Sequence, residues 1–175
     1  GSGENSRLVS GSFDKQVFER ELPSGKQLHS YPVLRQGPRA LTSRDANGIL
    51  AMAAGTEISL WDYKSHTQIG QPLQAKQPVR ALQFVPGSML LVASLVDGKV
   101  QTWDLATRAE QALLNPAESG TQTSSLAVLQ AGPQPVVAST AGSKVFLWSV
   151  ATKQQAGQLW QGGQSWAYLE LQGGK

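Results

Sequence analysis

His29 and His66 are the only two imidazoles in this 175-residue chain, so acid–base, nucleophilic and metal chemistry are sought there first. Zinc takes imidazole, thiolate or carboxylate ligands at short spacing. These two histidines stand 37 residues apart, with no carboxylate paired to either in the local sequence, and the chain has no cysteine. A serine nucleophile would need a Gly-x-Ser-x-Gly elbow followed by an acid and a histidine. Gly142-Ser143 comes nearest, and no histidine follows it. Asp45-Ala46-Asn47-Gly48 has the opening of a calcium loop without its remaining ligand positions. Gly162-Gly163 and Gly173-Gly174 lack the strand-to-helix setting of a phosphate loop. No pair of carboxylates is marked out for general acid–base work. The sequence therefore predicts no catalytic residue, no metal and no cofactor, and points away from an enzyme.

Composition excludes further classes. Fifteen basic and 12 acidic residues give a net charge of +3, with no run of Lys and Arg that would form a nucleic-acid footprint. No apolar run approaches the ~18 residues of a membrane span, and no signal peptide opens the chain. A cytoplasmic protein is expected, with no membrane or nucleic-acid partner. Gly1-Ser2-Gly3 reads as linker. The charged share, 15%, is below the usual quarter, which suits a surface of short strands and turns. The length allows one domain, 1–175, with a real core.

The elements that must position any site follow from a repeat. Glu57-Ile58-Ser59-Leu60-Trp61-Asp62-Tyr63 returns as Lys99-Val100-Gln101-Thr102-Trp103-Asp104-Leu105 and as Lys144-Val145-Phe146-Leu147-Trp148-Ser149-Val150. A worn copy, Lys15 to Leu22, has Arg20 and Glu21 in place of the Trp-Asp pair. The intervals are 41, 42 and 45 residues, a period that marks repeat architectures. Each period divides into four strands. In the clearest, Val79–Val85 alternates, Pro86-Gly87-Ser88 turns the chain, and Met89–Ser94 is apolar almost throughout. Asp97-Gly98 is a hairpin turn before Lys99–Leu105, and Glu110–Leu114 is a polar fourth strand. The other periods read as Arg39–Leu41, Ile49–Ala54, Glu57–Tyr63 and Gln68–Leu73, and as Ser125–Gln130, Pro135–Thr140, Lys144–Val150 and Gln155–Trp160. The first strand of each is expected to bury most and the fourth to lie outermost. No stretch has a 3.6-residue apolar period, so almost no helix is expected.

On Trp61-Asp62, Trp103-Asp104, the apolar second strands, and Asp14 and Asp97 before the third strand, the chain resembles the WD40 repeat family over nearly its whole length. The resemblance implies an all-β fold, a β-propeller of four-stranded antiparallel blades. About four blades are expected, at 4–35 completed by 164–175, 36–76, 77–122 and 123–163. Trp61, Trp103 and Trp148 would pack between blades. The family's Gly-His opening is missing, so its polar network is incomplete. Ser94, Trp103 and Asp97 make one partial set, and Ser139 with Trp148 another.

The ends complement each other. The tail, Ser165 to Lys175, reads as a first strand and then stops, while Ser6 to Gly11 reads as a second strand lacking a first. Four blades fall short of the family's usual ring. Two copies closing one ring as a homodimer, a piece of a longer protein with its remaining blades elsewhere or in another chain, and a self-closed four-bladed ring all stay open.

In the family the rim of the central channel is where peptides often dock. Arg39 and Arg80 hold matching places at the entrance to first strands, and Trp166 falls near the matching place in the tail. Arg and Trp are enriched in binding hot spots. Tyr31, Trp160 and Gln154-Gln155 could form a side-face contact. The expected function is a non-enzymatic scaffold binding a protein or peptide. Self-assembly of a half-ring and a propeller enzyme with a channel-mouth site are the alternatives.

Overall fold

The structure is a computed structural model that describes residues 6–32, 36–44, 48–115, 125–131, 134–141 and 143–161. Among the described residues there are sixteen strands and no helix. Sheet 1 is β1 (Arg7–Gly11), β2 (Val17–Glu21) and β3 (Gln27–Tyr31), in that order. Sheet 2 runs β4 (Ala40–Arg44), β5 (Ile49–Ala54), β6 (Glu57–Asp62) and β7 (Thr67–Gln68), with β8 (Leu73–Gln74) also paired to β6. Sheet 3 is β9 (Val79–Phe84), β10 (Leu90–Leu95), β11 (Val100–Asp104) and β12 (Ala109–Leu114). Sheet 4 is β13 (Leu126–Ala131), β14 (Gln134–Ala141), β15 (Lys144–Ser149) and β16 (Gln154–Gln161). Every pairing is antiparallel. The chain forms two compact units, Gly1–Gln74 with sheets 1 and 2, and Ala75–Lys175 with sheets 3 and 4.

Register makes the repeats comparable residue by residue. Trp61 stands opposite Leu50, Trp103 opposite Leu91 and Trp148 opposite Val137, and Arg20 takes the same place opposite Leu8. A bulge follows Glu19, Thr102 and Leu147, just before Arg20, Trp103 and Trp148. The extra residue lies on the outer strand, at Leu28 in β3, Gln111 in β12 and Ala156 in β16, and such bulges bend the strand that carries them.

The turn after each third strand is built alike. The Lys64 and Ser65 amides donate to Asp62 Oδ1 at 2.8 and 3.1 Å, and the Ala106 and Thr107 amides to Asp104 Oδ1 at 2.8 and 3.4 Å. Ser149 does the same work where aspartate is missing, accepting from the Thr152 amide at 3.2 Å. Four residues beyond Glu21, Asp62, Asp104 and Ser149, the chain turns left-handed at Gly25, His66, Arg108 and Lys153, with φ of 70°, 56°, 60° and 57°. The second half of the Trp-Asp signature is thus a side-chain cap on a turn.

Two sequence expectations are corrected. In sheets 2 and 3 burial is greater in the second strand than in the first. All six residues of β5 and five of six in β10 are buried, whereas β4 has none buried and β9 alternates. β5 and β10 each have a strand on both edges, and their unbroken apolar runs suit burial on both faces. The fourth strand expected over Gln68–Leu73 is split into β7 and β8. Gly70 takes φ 61° and Pro72 has no amide to donate, so pairing stops between them.

Within each unit, the Trp-bearing face of one sheet packs on the opposite face of the sheet before it. In the first unit Leu50, Met52 and Trp61 meet Val17 and Tyr31. In the second, Val137, Phe146 and Trp148 meet Val92, Val100 and Leu114. Trp61 and Trp148 therefore sit between sheets. Among the described residues β1 pairs with β2 alone, and its residues are exposed except for half-buried Val9. Residues 164–175, expected to complete this sheet, lie outside the described residues.

Candidate functional site

The face of sheet 1 that meets sheet 2 carries Arg7, Val9, Val17, Glu19, His29 and Tyr31, because alternation and pairing put them on one side. Val17 and Tyr31 fill the core, while Glu19 is a carboxylate with no exposed surface. Its register equivalents, Leu60, Thr102 and Leu147, carry no charge. Three groups hold it. Arg7 Nη1 donates to Glu19 Oε1, Tyr31 Oη donates to Oε2 at 3.0 Å, and His66 Nε2 lies 3.0 Å from Oε2. His66 comes from the β6–β7 turn of sheet 2, so this contact crosses between sheets. The His29 ring stacks on His66 with centroids 3.9 Å apart and planes at 15°. Tyr31 meets the edges of His29 and Trp61.

This cluster corrects the expectation that neither histidine has a carboxylate nearby. Glu19 and His66 are 47 residues apart in sequence, and stacking of two sheets brings them together. Tyr31 is 3% exposed, a core residue rather than a side-face contact. Burial, the strongest influence on Glu19, pushes its carboxyl up, but hydrogen bonds from Arg7, Tyr31 and His66 with the Arg7 charge outweigh it and hold it below its ordinary value. Burial, then the neighbouring His66, lower His29. Burial and the Glu19 hydrogen bond raise the Tyr31 phenol.

The equivalent place in the second unit is a cavity of about 40 Å³, lined by Leu90, Thr102, Ala112, Leu114, Trp148 and Lys153 among others. By register these replace Arg7, Glu19, His29, Tyr31, Trp61 and His66. Lys153 Nζ reaches across it to Gln111 Oε1 at 2.9 Å. The same inter-sheet position is therefore ionic in one unit and apolar with a hole in the other.

The tryptophan partners differ from expectation. Trp148 Nε1 donates to Ser139 Oγ at 2.8 Å, as the sequence suggested. Ser94 does not join Trp103. It pairs with Val100 and points to the opposite face, and the position equivalent to Ser139 is Ala93. Ser94 Oγ has no hydrogen-bond partner among the described residues. Asp97 also stays out, holding the Lys99 amide at 3.2 Å and the Lys99 ammonium at 2.8 Å. Trp61 finds Ser59 Oγ at 3.2 Å, on its own strand, where the sequence marked nothing. Asp14 Oδ1 accepts from the Gln16 amide at 3.1 Å, a local turn cap.

These two buried serines should respond oppositely to alanine. Ser139→Ala strands the Trp148 indole N–H and should cost about 1–2 kcal/mol, while Ser94→Ala removes an unsatisfied hydroxyl and should be neutral or stabilising by about 1 kcal/mol. Urea unfolding of the two variants checks this, and equal losses would defeat it.

Of the proposed rim residues, Arg39 is exposed just before β4, and its guanidinium lies 5.7 Å from the centre of the Phe13 ring. Phe13, in the β1–β2 turn, is 77% exposed. The pair depends on Gly37, where a Cβ would lie 2.8 Å from Phe13 Cα, so only glycine lets the chain entering β4 pass this turn. Arg80 holds the register place of Arg39 but is half-buried, as the extra residue of a bulge opposite Ser94 and Leu95. Trp166, the Trp160 side chain, the 45–47 segment, Gly142 and both Gly-Gly pairs lie outside the described residues. Gln154 and Gln155 are exposed. Among the described residues no three His, Asp or Glu side chains gather as a metal site, and no helix is long and apolar enough to cross a membrane.

No family model and no curated protein matches the sequence. Among solved structures the chain is similar to the computationally designed Ika8 protein, with a TM-score of 0.75 and 24% identity. The match covers 94% of this chain and 49% of the designed one, so the chain spans about half the length of that protein. At this identity the likeness is one of fold alone.

Proposed function

We propose that the chain is a WD40-type β-propeller module that binds a protein or peptide partner at its rim and carries out no reaction itself. The observation behind this reading is the repetition. In the three complete sheets the tryptophan has one register, all four turns have one left-handed position, and in both units the Trp face stacks on the preceding sheet. Phe13 under Arg39 supplies a docking point of the residue types that dominate hot spots, an aromatic ring and a guanidinium. The test is selection from a random peptide library on the intact chain. Enriched peptides should lose about 30-fold in affinity on Phe13→Ala with Arg39→Ala, the size of one hot spot. Peptides that bind the double variant equally well would refute the rim as the site.

A second reading, self-assembly into a closed ring, is favoured by β1. The strands equivalent to it (β5, β10 and β14) each pair with a first strand, whereas β1 pairs with β2 alone among the described residues. An edge so exposed invites a strand from a second copy, and 165–171 carries the alternation that would suit it. Light scattering should then give about twice the 18.7 kDa chain mass, reverting to one on deletion of 164–175. A well-folded monomer of the full chain would exclude it.

A further inference from the structure

We infer that sheet 1 is held to sheet 2 by an acid-labile latch, made of the buried Glu19 carboxylate and the His29–His66 ring stack, which lets the β1–β3 sheet come away from its neighbour as pH falls. The geometry carries the inference. Glu19 is buried, and among the described residues the hydrogen bond it takes from the next sheet is that of His66, whose own backbone is left-handed. His29, on the outer strand of sheet 1, covers the other side of that ring at 3.9 Å.

Two imidazoles face to face accept one positive charge far more readily than two, because a second proton places like charges in contact with little water between them. A charge on His29 is opposed by burial and by the neighbouring His66 ring. The charged and titratable groups of the cluster are Arg7 from β1, Glu19 from β2, Tyr31 from β3, and Asp62 at the end of β6, which acts on Tyr31. Glu19 is already shared among Arg7, Tyr31 and His66, and Asp62 is engaged with the Lys64 and Ser65 amides. Through space Glu19 favours a charge on His29, but burial and the neighbouring His66 outweigh it.

The direction of the pH dependence follows. His29 titrates in the folded chain below its ordinary 6.5, and Glu19 below its ordinary 4.5. In both cases the unfolded chain binds more protons, so stability rises with pH across each window. Contact between the sheets is complete above pH 6.5, weakens as pH falls through the lowered His29 value, and is lost as Glu19 protonates below 4.5. The second unit serves as an internal control. Its equivalent position holds Thr102, Ala112, Leu114 and Lys153, with nothing that titrates in this range.

The experiment uses the full chain. Thermal unfolding and limited proteolysis within residues 7–31 are followed at pH 7.5 and 5.5, in the parent and in His29→Phe, which keeps a stacking ring without a charge. The parent should lose up to about 5 °C of midpoint per pH unit, the limit for one proton in a chain of this size. Its first sheet should be cut faster at pH 5.5, and His29→Phe should flatten both responses. Parallel profiles for parent and variant would overturn the latch. Histidine ring resonances of the parent decide the matter even if the variant does not fold. His29 should titrate below 6.5, and an ordinary or raised value refutes the latch.

Discussion

Replacing Glu19 by alanine is expected to cost about 3 kcal/mol of unfolding free energy, because removing one partner of a buried ionic cluster leaves the others uncompensated. Arg7, Tyr31 and His66 would all lose their acceptor together, the last two at 3.0 Å in the parent. The figure sits at the low end of its range because the Arg7 side chain is 37% exposed and can turn to water. In a chain of this length the loss corresponds to a fall of about 6–12 °C in unfolding midpoint. Glu19→Gln separates charge from shape. It keeps an acceptor oxygen for Tyr31 but gives up the charge-assisted bonds, and should cost about half as much. Glu19→Leu imports the residue found at the equivalent positions Leu60 and Leu147, yet should still destabilise, since Arg7 and His66 would then face an alkyl group. Urea unfolding of the three variants gives the ranking. A leucine variant as stable as the parent would show that the cluster contributes nothing net, the outcome known for some buried ion pairs.

The second large effect is expected at Trp148. It is 2% exposed, lies in the core between sheets 3 and 4, and donates to buried Ser139. Trp148→Ala should cost about 4 kcal/mol, through lost apolar contact and a cavity next to the existing one. Trp148→Phe preserves most of the ring contact but leaves the Ser139 hydroxyl buried without its donor, and should cost about 1–2 kcal/mol. Trp103→Phe should be milder, because Ala93 stands where Ser139 stands in sheet 4 and no serine is orphaned. Guanidinium unfolding followed by circular dichroism measures these differences. Equal costs for the two phenylalanine variants would remove the hydroxyl–indole bond from the account.

The all-β class, the four repeats, most strand positions and the two Trp-Asp pairs were legible in the chain because each is a local signal. Alternation along a strand needs only the period-2 geometry of the backbone, and turns are read from Asp, Gly and Pro within a few residues. Where the local signal was ambiguous, the reading slipped. Gly70 and Pro72 inside Gln68–Leu73 were weaker warnings than they proved to be, and Ser94 was one residue out of phase with the face it was assigned. Ser59 was unmarked because a donor–acceptor pair at i and i+2 on one strand requires knowing the rotamer, not the spacing.

The candidate site was much less legible. The sequence points to Arg39 as a rim residue but not to its companion Phe13, because an aromatic in a turn carries no period, and Gly37 becomes necessary only when two loops pass each other. Glu19 was simply one residue of a worn repeat. Its burial is decided by which face of sheet 1 meets sheet 2, and its partners come from β1, β3 and a turn 47 residues away. By itself the sequence determined the class of element, its approximate limits and the repeat of the tryptophan, since short-range sterics and turn chemistry act within a few residues. Tertiary structure alone decided which polar groups are enclosed and what they touch. Burial and ion pairing are properties of two surfaces brought together, and no stretch of a single strand contains both.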